Sequence, residues 1–170
     1  YDIPDDDGQA FQLYRALCNV RQPGKHVPSP QFLAAEAAVL QGLTREKGIT
    51  DGRYLPAIPS HEHLHLWQGD ITTLAVDAIV NAANDQLLGC FRPLHSCIDN
   101  MIHTMAGVAL RERCFTIMQA QGHAEATGQA KITPAYNLPC RYVLHTVGPI
   151  VRGALTQQAQ GQLASCYRSC

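Results

Sequence analysis

The stretch that decides the fold is "AVDAIVNAAN" (residues 75–84), in which a short apolar run leads into two asparagines around two alanines. The run Ala78-Ile79-Val80 is continuous, which is typical of a strand buried on both faces of a sheet. Asn81 and Asn84 therefore fall at the strand's carboxyl end, the edge where open α/β sheets bind ligands. Their amides suit sugar hydroxyls, because each both donates and accepts hydrogen bonds. Turn formation, which Asn also favours, is the alternative.

Strand and helix patterns alternate around this segment. Residues 63–70 alternate like a strand, and residues 140–149 contain an apolar strand closed by Gly-Pro. Residues 98–118 carry apolar side chains at helical spacing, and residues 154–170 begin another helix. Such alternation predicts a three-layer α/β fold. Because the chain stops within a helical pattern, we expect further strands beyond Cys170.

The first part of the chain has a different pattern. Two amphipathic helices are predicted, over residues 11–23 and 29–43, and the second has Ser29 as its N-cap and Pro30 in its first turn. Glycines and prolines between residues 44 and 60 suit a linker. We therefore expect a helical N-terminal extension over residues 1–60 and a second domain over residues 61–170.

Composition excludes several classes of protein. The chain has 170 residues, 46% hydrophobic and 16% charged, with a net charge of −1. The sequence has no polybasic face, so binding to long nucleic acid is not expected. It also contains no apolar run of about 18 residues, so no membrane helix is predicted. The seven cysteines are odd in number and irregularly spaced, and the given residues before them show no charged-then-apolar signal pattern. We expect reduced thiols in a cytoplasmic protein.

The strongest chemical signal is Cys90-x4-His95-x-Cys97. Thiolates and imidazole suit zinc, and Gly89 and Pro93 favour a loop that could fold the ligands together. Three ligands without an obvious fourth fit an open catalytic site better than a closed structural one. The alternatives are that the cysteines only pack as small apolar residues, or that a closed site recruits one of Cys114, Cys140 and His103.

Two carboxylates accompany this cluster. Asp99 lies two residues past Cys97, where a loop becomes a helix, so it could orient a water, accept a proton or cap the helix. Asp70, in "GDIT" (69–72), directly follows the alternating strand and could accept a hydrogen bond from an exocyclic amine. A turn or cap is the alternative for Asp70.

Taken together, these motifs resemble the macrodomain family, and more narrowly its zinc-dependent branch. "LHLWQGDITTLAVDAIVNAAN" (64–84) resembles the family's first strand with its GDIT and VNAAN segments, and "TGQAKITPAYNLPCRYVLHTVGP" (127–149) resembles a later segment. In "GCFRPLHSCIDNMIHTMAG" (89–107) a CFxPxHxC insert replaces the usual glycine run, as in the zinc branch. The resemblance implies a three-layer α/β/α macrodomain with a mixed central sheet after a helical extension.

The resemblance also implies roles for single residues. Asp70 would bind the adenine amino group beside the Ile71 backbone, and Asn84 would hold the distal ribose. The loop from Gly89 onward would approach the diphosphate. The implied zinc ligands are Cys90, His95 and Cys97. The implied catalytic set is Asp99, Asn84, Asn100 and His103.

The activity implied by the resemblance is that of a zinc-dependent hydrolase. It would remove mono-ADP-ribose from modified protein side chains, with esters of Asp or Glu as the expected linkage. The zinc ion would either activate a water or orient the ribose while Asp99 activates the water, and both routes stay open. A non-catalytic ADP-ribose-binding macrodomain with a structural zinc is the alternative. Among relatives, an ADP-ribosylated lipoyl carrier protein is an expected partner.

Overall fold

The computed structural model describes residues 2–170, which form two helices, then five strands, two helices, two strands and a last helix. The helices are α1 (Asp7–Val20), α2 (Pro30–Lys47), α3 (Ile98–Ala106), α4 (Val108–Gln121) and α5 (Gln157–Ser169). The strands are β1 (Thr50–Asp51), β2 (Ala57–Ile58), β3 (His61–His65), β4 (Leu74–Ala75), β5 (Ala78–Ala83), β6 (Ala130–Pro134) and β7 (Tyr142–Val147).

The central sheet has the strand order β5-β7-β6. β5 runs parallel to β7, from Ala78 opposite Tyr142 to Ala83 opposite Val147, and β6 pairs with β7 in the antiparallel sense. The sheet is therefore mixed, and with α3 and α4 packed against β5 and β6 it confirms the α/β fold.

Burial along β5 differs from the prediction. Ile79 is 3% exposed and Asn81 is fully buried, whereas Val80 between them is 46% exposed. The strand is thus buried on the face that α3 and α4 cover, and Val80 lies on the other face. There α5 packs against β7, next to β5. A continuous apolar run predicted burial on both faces, and that expectation was wrong.

One predicted helix is two helices. The apolar spacing over residues 98–118 predicted a single helix, but α3 and α4 are separated at Gly107, whose φ of 88° suits glycine. A Cβ at Gly107 would lie 2.5 Å from Oε2 of Glu36 on α2. The Glu36 carboxylate accepts hydrogen bonds from the Val108 amide at 3.1 and 3.2 Å, and so caps α4. The break therefore depends on a residue far away in the sequence.

The N-terminal helices share the core of the domain. Leu40 on α2 is 0% exposed and belongs to the same hydrophobic cluster as Ile102 and Val143. β1 pairs in parallel with β4, which ties the segment after α2 to the start of the sheet region. α2 begins as predicted, with the Ser29 hydroxyl accepting from the Phe32 amide.

The alternating segment 63–70 is only partly a strand. β3 ends at His65 and pairs with β2, and all five of its residues are exposed. The residues after it lead into a short 3₁₀ turn, Ile71–Thr73, capped by Asp70.

Within residues 2–170, no helix is both long and apolar enough to cross a membrane. All seven cysteines are unpaired.

Candidate metal and nucleotide site

The predicted metal ligands lie on the loop that joins β5 to α3. Gly89 begins the loop with a φ of 77°, and a Cβ there would lie 2.8 Å from Cγ of His103. Glycine is therefore required both for the turn and for the close approach. Cys97 ends the loop as the N-cap of α3, where its thiol accepts from the Asn100 amide at 3.4 Å.

The side chains of Cys90, His95 and Cys97 converge. Their ligand atoms all lie within 4.8 Å of one another, and Cys90 Sγ is 3.6 Å from His95 Nδ1. Zinc–ligand bonds of about 2.3 Å to sulfur and 2.0 Å to nitrogen put these atoms about 3.5 Å apart in a tetrahedral site. The donor set and spacing fit zinc. Among the residues described, no fourth Cys, His, Asp or Glu joins the cluster, so these three residues would be the protein ligands of such an ion.

The Cys90 thiol influences the protonation of Cys97. Burial raises the pKa of the Cys97 thiol, and the neighbouring Cys90 thiol raises it further, although the Asn100 amide opposes both. Two thiolates this close repel each other, and a divalent cation between them removes the repulsion. The cluster therefore favours a metal ion electrostatically as well as sterically.

Asp99 lies in the first turn of α3 and is 5% exposed. Its Oδ1 accepts from Asn81 Nδ2 at 2.8 Å, and its Oδ2 from Asn84 Nδ2 at 3.4 Å. Burial raises the pKa of the Asp99 carboxyl, while the Asn81 hydrogen bond and the Arg111 charge lower it. One amide from within β5 and one from just after it thus hold the carboxylate next to the metal loop.

Asn84 is exposed and ties the end of β5 to the loop. Its Nδ2 also donates to the Gly89 carbonyl at 3.1 Å, and its Oδ1 accepts from the Gln86 amide at 3.1 Å. The turn chemistry considered as an alternative is therefore present. The same Asn84 side chain also lies at the surface and donates to Asp99.

Asn100 and His103 are both buried behind Asp99. Asn100 is 0% exposed; its side-chain amide accepts from Arg15 and donates to Asn19, both on α1, and also donates to the Arg92 carbonyl in the loop. His103 Nε2 is 3.6 Å from Asp99 Oδ1, and neither ring nitrogen has a hydrogen-bond partner among residues 2–170. Burial, and then the neighbouring His145, hold the pKa of His103 well below its usual range. His103 is therefore neutral.

Asp70 and Ile71 open the short 3₁₀ turn that contacts α2 and α3. The Asp70 carboxylate accepts from the Thr72 amide and hydroxyl, at 3.0 and 2.7 Å, and pairs with Lys47 at 3.0 Å. Burial alone would raise the pKa of Asp70, but the bonds from Thr72 and Lys47 outweigh it and lower the pKa. The side chain stays 39% exposed, so an oxygen remains accessible. Ile71 packs against the core.

A layer of polar residues under Asp99 was not predicted from the sequence. Asn81 Nδ2 lies 3.1 Å from His145 Nδ1, and His145 Nε2 lies 3.0 Å from the Thr133 hydroxyl. His145 is opposite Asn81 in the pairing of β5 with β7. The available signal was a histidine inside the apolar strand "YVLHTV" (142–147). Its buried ring had to be matched by polar partners on the next strands.

His103, Cys114 and His145 form a second group whose ligand atoms lie within 4.8 Å of one another. Both nitrogens of His145 already have partners, and burial raises the pKa of the Cys114 thiol to about 12. His145 and Cys114 therefore belong to a hydrogen-bonded layer of the core, and His103 lies beside them without a hydrogen bond to either.

The fold and the site define an α/β domain in which thiol, imidazole and amide side chains and a carboxylate gather at the carboxyl end of β5. The profile of the Macro domain family matches residues 80–170. The chain therefore belongs to the Macro domain family.

Curated relatives cover 99% of this chain. It is 54% identical over 170 residues to the protein-ADP-ribose hydrolase of Treponema medium. This alignment covers 99% of the chain and 64% of the relative. It is 47% identical over 169 residues to the protein-ADP-ribose hydrolase of Staphylococcus aureus strain MSSA476, with 99% and 62% covered. The chain thus spans somewhat less than two thirds of the length of either relative.

Solved structures show the same fold. The Trypanosoma brucei macrodomain in complex with ADP-ribose matches with a TM-score of 0.60 and 32% identity, over 85% of this chain and 62% of that one. The Oceanobacillus iheyensis macrodomain with ADP matches with a TM-score of 0.52 and 38% identity, over 59% of this chain and 51% of that one.

Proposed function

We propose that this chain is a zinc-dependent hydrolase that removes mono-ADP-ribose from modified protein side chains. One observation carries the proposal: three converging thiol and imidazole ligands lie just before Asp99, a carboxylate that Asn81 and Asn84 hold at the ligand-binding edge of a Macro domain. The relatives named protein-ADP-ribose hydrolase and the trypanosomal complex with ADP-ribose support it.

ADP-ribose would lie along the edge of the sheet. Asp70, with an accessible oxygen, would accept from the adenine amino group beside Ile71. Asn84, exposed at the end of β5, would hold the distal ribose. The loop that begins at Gly89 would approach the diphosphate, because a glycine lets backbone amides come close to phosphate oxygens.

Cys90, His95 and Cys97 would hold the zinc ion. When bound, the ion supplies a Lewis acid beside the distal ribose, where it can polarise an oxygen or orient a hydroxyl. The Asn100 amide donates to the Cys97 sulfur and stabilises its thiolate.

Asp99 would accept the proton of the attacking water. Water adds to C1″ of the distal ribose, the bond from C1″ to the acceptor oxygen breaks, and the water's second proton passes to the carboxylate of Asp99. A carboxylate leaving group departs as an anion without being protonated, so a single base completes the reaction. Because no general acid is needed, the site suits esters of Asp and Glu as substrates. The products are ADP-ribose and the free side chain.

The family resemblance adds two narrower proposals. We propose an ADP-ribosylated lipoyl carrier protein as one substrate. We also propose the cytoplasm as the compartment, where seven unpaired thiols remain reduced.

The test combines metal analysis with a turnover assay. Zinc content by elemental analysis and ADP-ribose release from a glutamate-automodified acceptor are compared for the unmodified chain, Cys97→Ser and His95→Ala. Both variants should lose metal and hydrolysis together, whereas Cys170→Ser, at an exposed cysteine outside the site, should keep both. Full activity in a metal-free variant contradicts the proposal. ADP-ribose binding without turnover by the zinc-loaded chain would identify a reader instead.

A further inference from the structure

Helix α1, which precedes the matched family segment, reaches the loop that carries the metal ligands. The Arg15 guanidinium donates to the His95 carbonyl at 2.6 Å and to Asn100 Oδ1 at 3.1 and 3.2 Å. These contacts join residues 80 and 85 positions apart in the chain. One of them is to the backbone of a predicted zinc ligand.

Asn19, one turn further along α1, holds the neighbouring backbone. It is 1% exposed, and its Oδ1 accepts from the Leu94 amide at 2.9 Å and from Asn100 Nδ2 at 3.1 Å. Leu94 has a φ of 57°, in the left-handed region that a leucine rarely adopts. Such a conformation persists where surrounding contacts hold it, and the bond from Leu94 to Asn19 is such a contact.

The end of α1 is fixed from the same side. Arg111 donates to the carbonyls of Cys18, Asn19 and Arg21, which the last turn of the helix leaves without helical partners. Its guanidinium carbon also lies 4.6 Å from the centre of the Phe91 ring, next to Cys90. Helix α1 therefore holds the loop directly at Leu94 and His95. Arg111, which is bound to α1, contacts the loop at Phe91.

We propose that α1 is a working part of the metal site, with Arg15 and Asn19 as positioning residues that set its zinc affinity. They hold the backbone of Leu94 and His95 so that the imidazole faces the two thiols before the ion arrives. This inference rests on the proposed zinc site and deepens it. Because coupling is reciprocal, zinc binding must in turn strengthen the docking of α1 on the loop.

The first test measures zinc affinity in the full chain by competition with a chromophoric chelator. Arg15→Met keeps the apolar stem but removes the donors, and Asn19→Leu keeps the volume but removes the acceptor. Each should weaken zinc binding about 10- to 100-fold, as the loss of groups that orient metal ligands does. Asn19→Asp, which keeps an acceptor oxygen, should restore most of the affinity. Gln12→Ala, on the exposed face of α1, is the matched control.

The second test needs no variant and is therefore independent of whether the variants fold. Amide hydrogen exchange of the unmodified chain is compared with and without Zn²⁺. Exchange should slow over α1 as well as over residues 89–97, and should stay unchanged over α5, which packs on β7. Equal zinc affinity in all variants, or exchange in α1 that does not respond to Zn²⁺, overturns the role of α1. Failure of the unmodified chain to bind zinc would instead overturn the proposed metal site itself.

Discussion

The side-chain amide of Asn81 donates to Asp99 Oδ1 across 2.8 Å, and so joins the middle of β5 to the first turn of α3. Asn81 is fully buried and also contacts His145 on the neighbouring strand, at 3.1 Å. The orientation of the exposed edge of Asp99 is therefore set from inside the sheet. A hydrogen bond from an amide to Oδ1 restricts the rotation of the carboxylate. A base that accepts a proton from one particular water needs such a fixed orientation.

Loss of the amide should affect turnover before metal binding. In Asn81→Ala, Asp99 loses a hydrogen bond to a charged group, worth about 1.5–3 kcal/mol, so kcat should fall about 10- to 100-fold. Zinc content should not change, because Asn81 touches none of the three ligands. Steady-state release of ADP-ribose with parallel elemental analysis tests this. An unchanged kcat, or loss of zinc, would contradict the role given to Asn81.

Asp70 should contribute to ADP-ribose affinity and not to zinc binding. Asp70→Asn keeps an oxygen for the Thr72 amide but presents an N–H towards the adenine amino group, so affinity should fall about tenfold. Lys47→Gln removes the ion pair with Asp70 while leaving the carboxylate in place, and should change the affinity less than about twofold. Calorimetric titration with ADP-ribose measures both. Equal losses in the two variants would assign the effect to the ion pair instead.

Two glycine-to-alanine substitutions, one between α3 and α4 and one inside α2, test why α3 and α4 are separate helices. Gly107→Ala places a Cβ against the Glu36 carboxylate in a left-handed backbone conformation, and should destabilise the fold by about 1–3 kcal/mol. Gly42→Ala lies inside α2 with no atom within 4 Å of the new Cβ, and should stabilise it by about 0.5–1 kcal/mol. Urea denaturation in the presence of a chelator compares them. Equal effects of the two substitutions would show that helix propensity alone decides.

The buried histidines should make stability depend on pH. Burial lowers the pKa of His145 from 6.5 to about 4, so the unfolded chain binds more protons than the folded chain between those values. The free energy of unfolding is then highest above pH 6.5 and decreases as the pH falls towards 4, by about 3 kcal/mol from His145 alone. His103, also buried and neutral, adds to the same trend.

Denaturation of the metal-free chain at a series of pH values measures this dependence without a contribution from zinc release. His145→Gln removes one of the two titrating rings, so its profile should be flatter between pH 4 and 6.5. A profile as steep as that of the unmodified chain would show that His145 does not titrate on unfolding.

What could be predicted from the sequence is what neighbouring residues decide together. Cys90, His95 and Cys97 are close in the chain, so a loop of almost any shape brings them near one another, and their spacing already indicated a metal site. Ser29 and Pro30 predicted the start of α2 because a cap acts on the turn that follows it. The position of Asn84 at a strand end followed from the apolar run before it.

Only the tertiary structure decided the contacts that join distant segments. Glu36 of another helix accepts from the first amide of α4 and occupies the space that a Cβ at Gly107 would need, and Arg15 reaches His95 across 80 positions. The pairing of Asn81 with His145 depends on the register of two strands. Local propensity carries no information about such contacts, because their free energy comes from burial and hydrogen bonding after the elements have packed. The residues that would bind zinc could therefore be read from the sequence, whereas the residues that hold them in place could not.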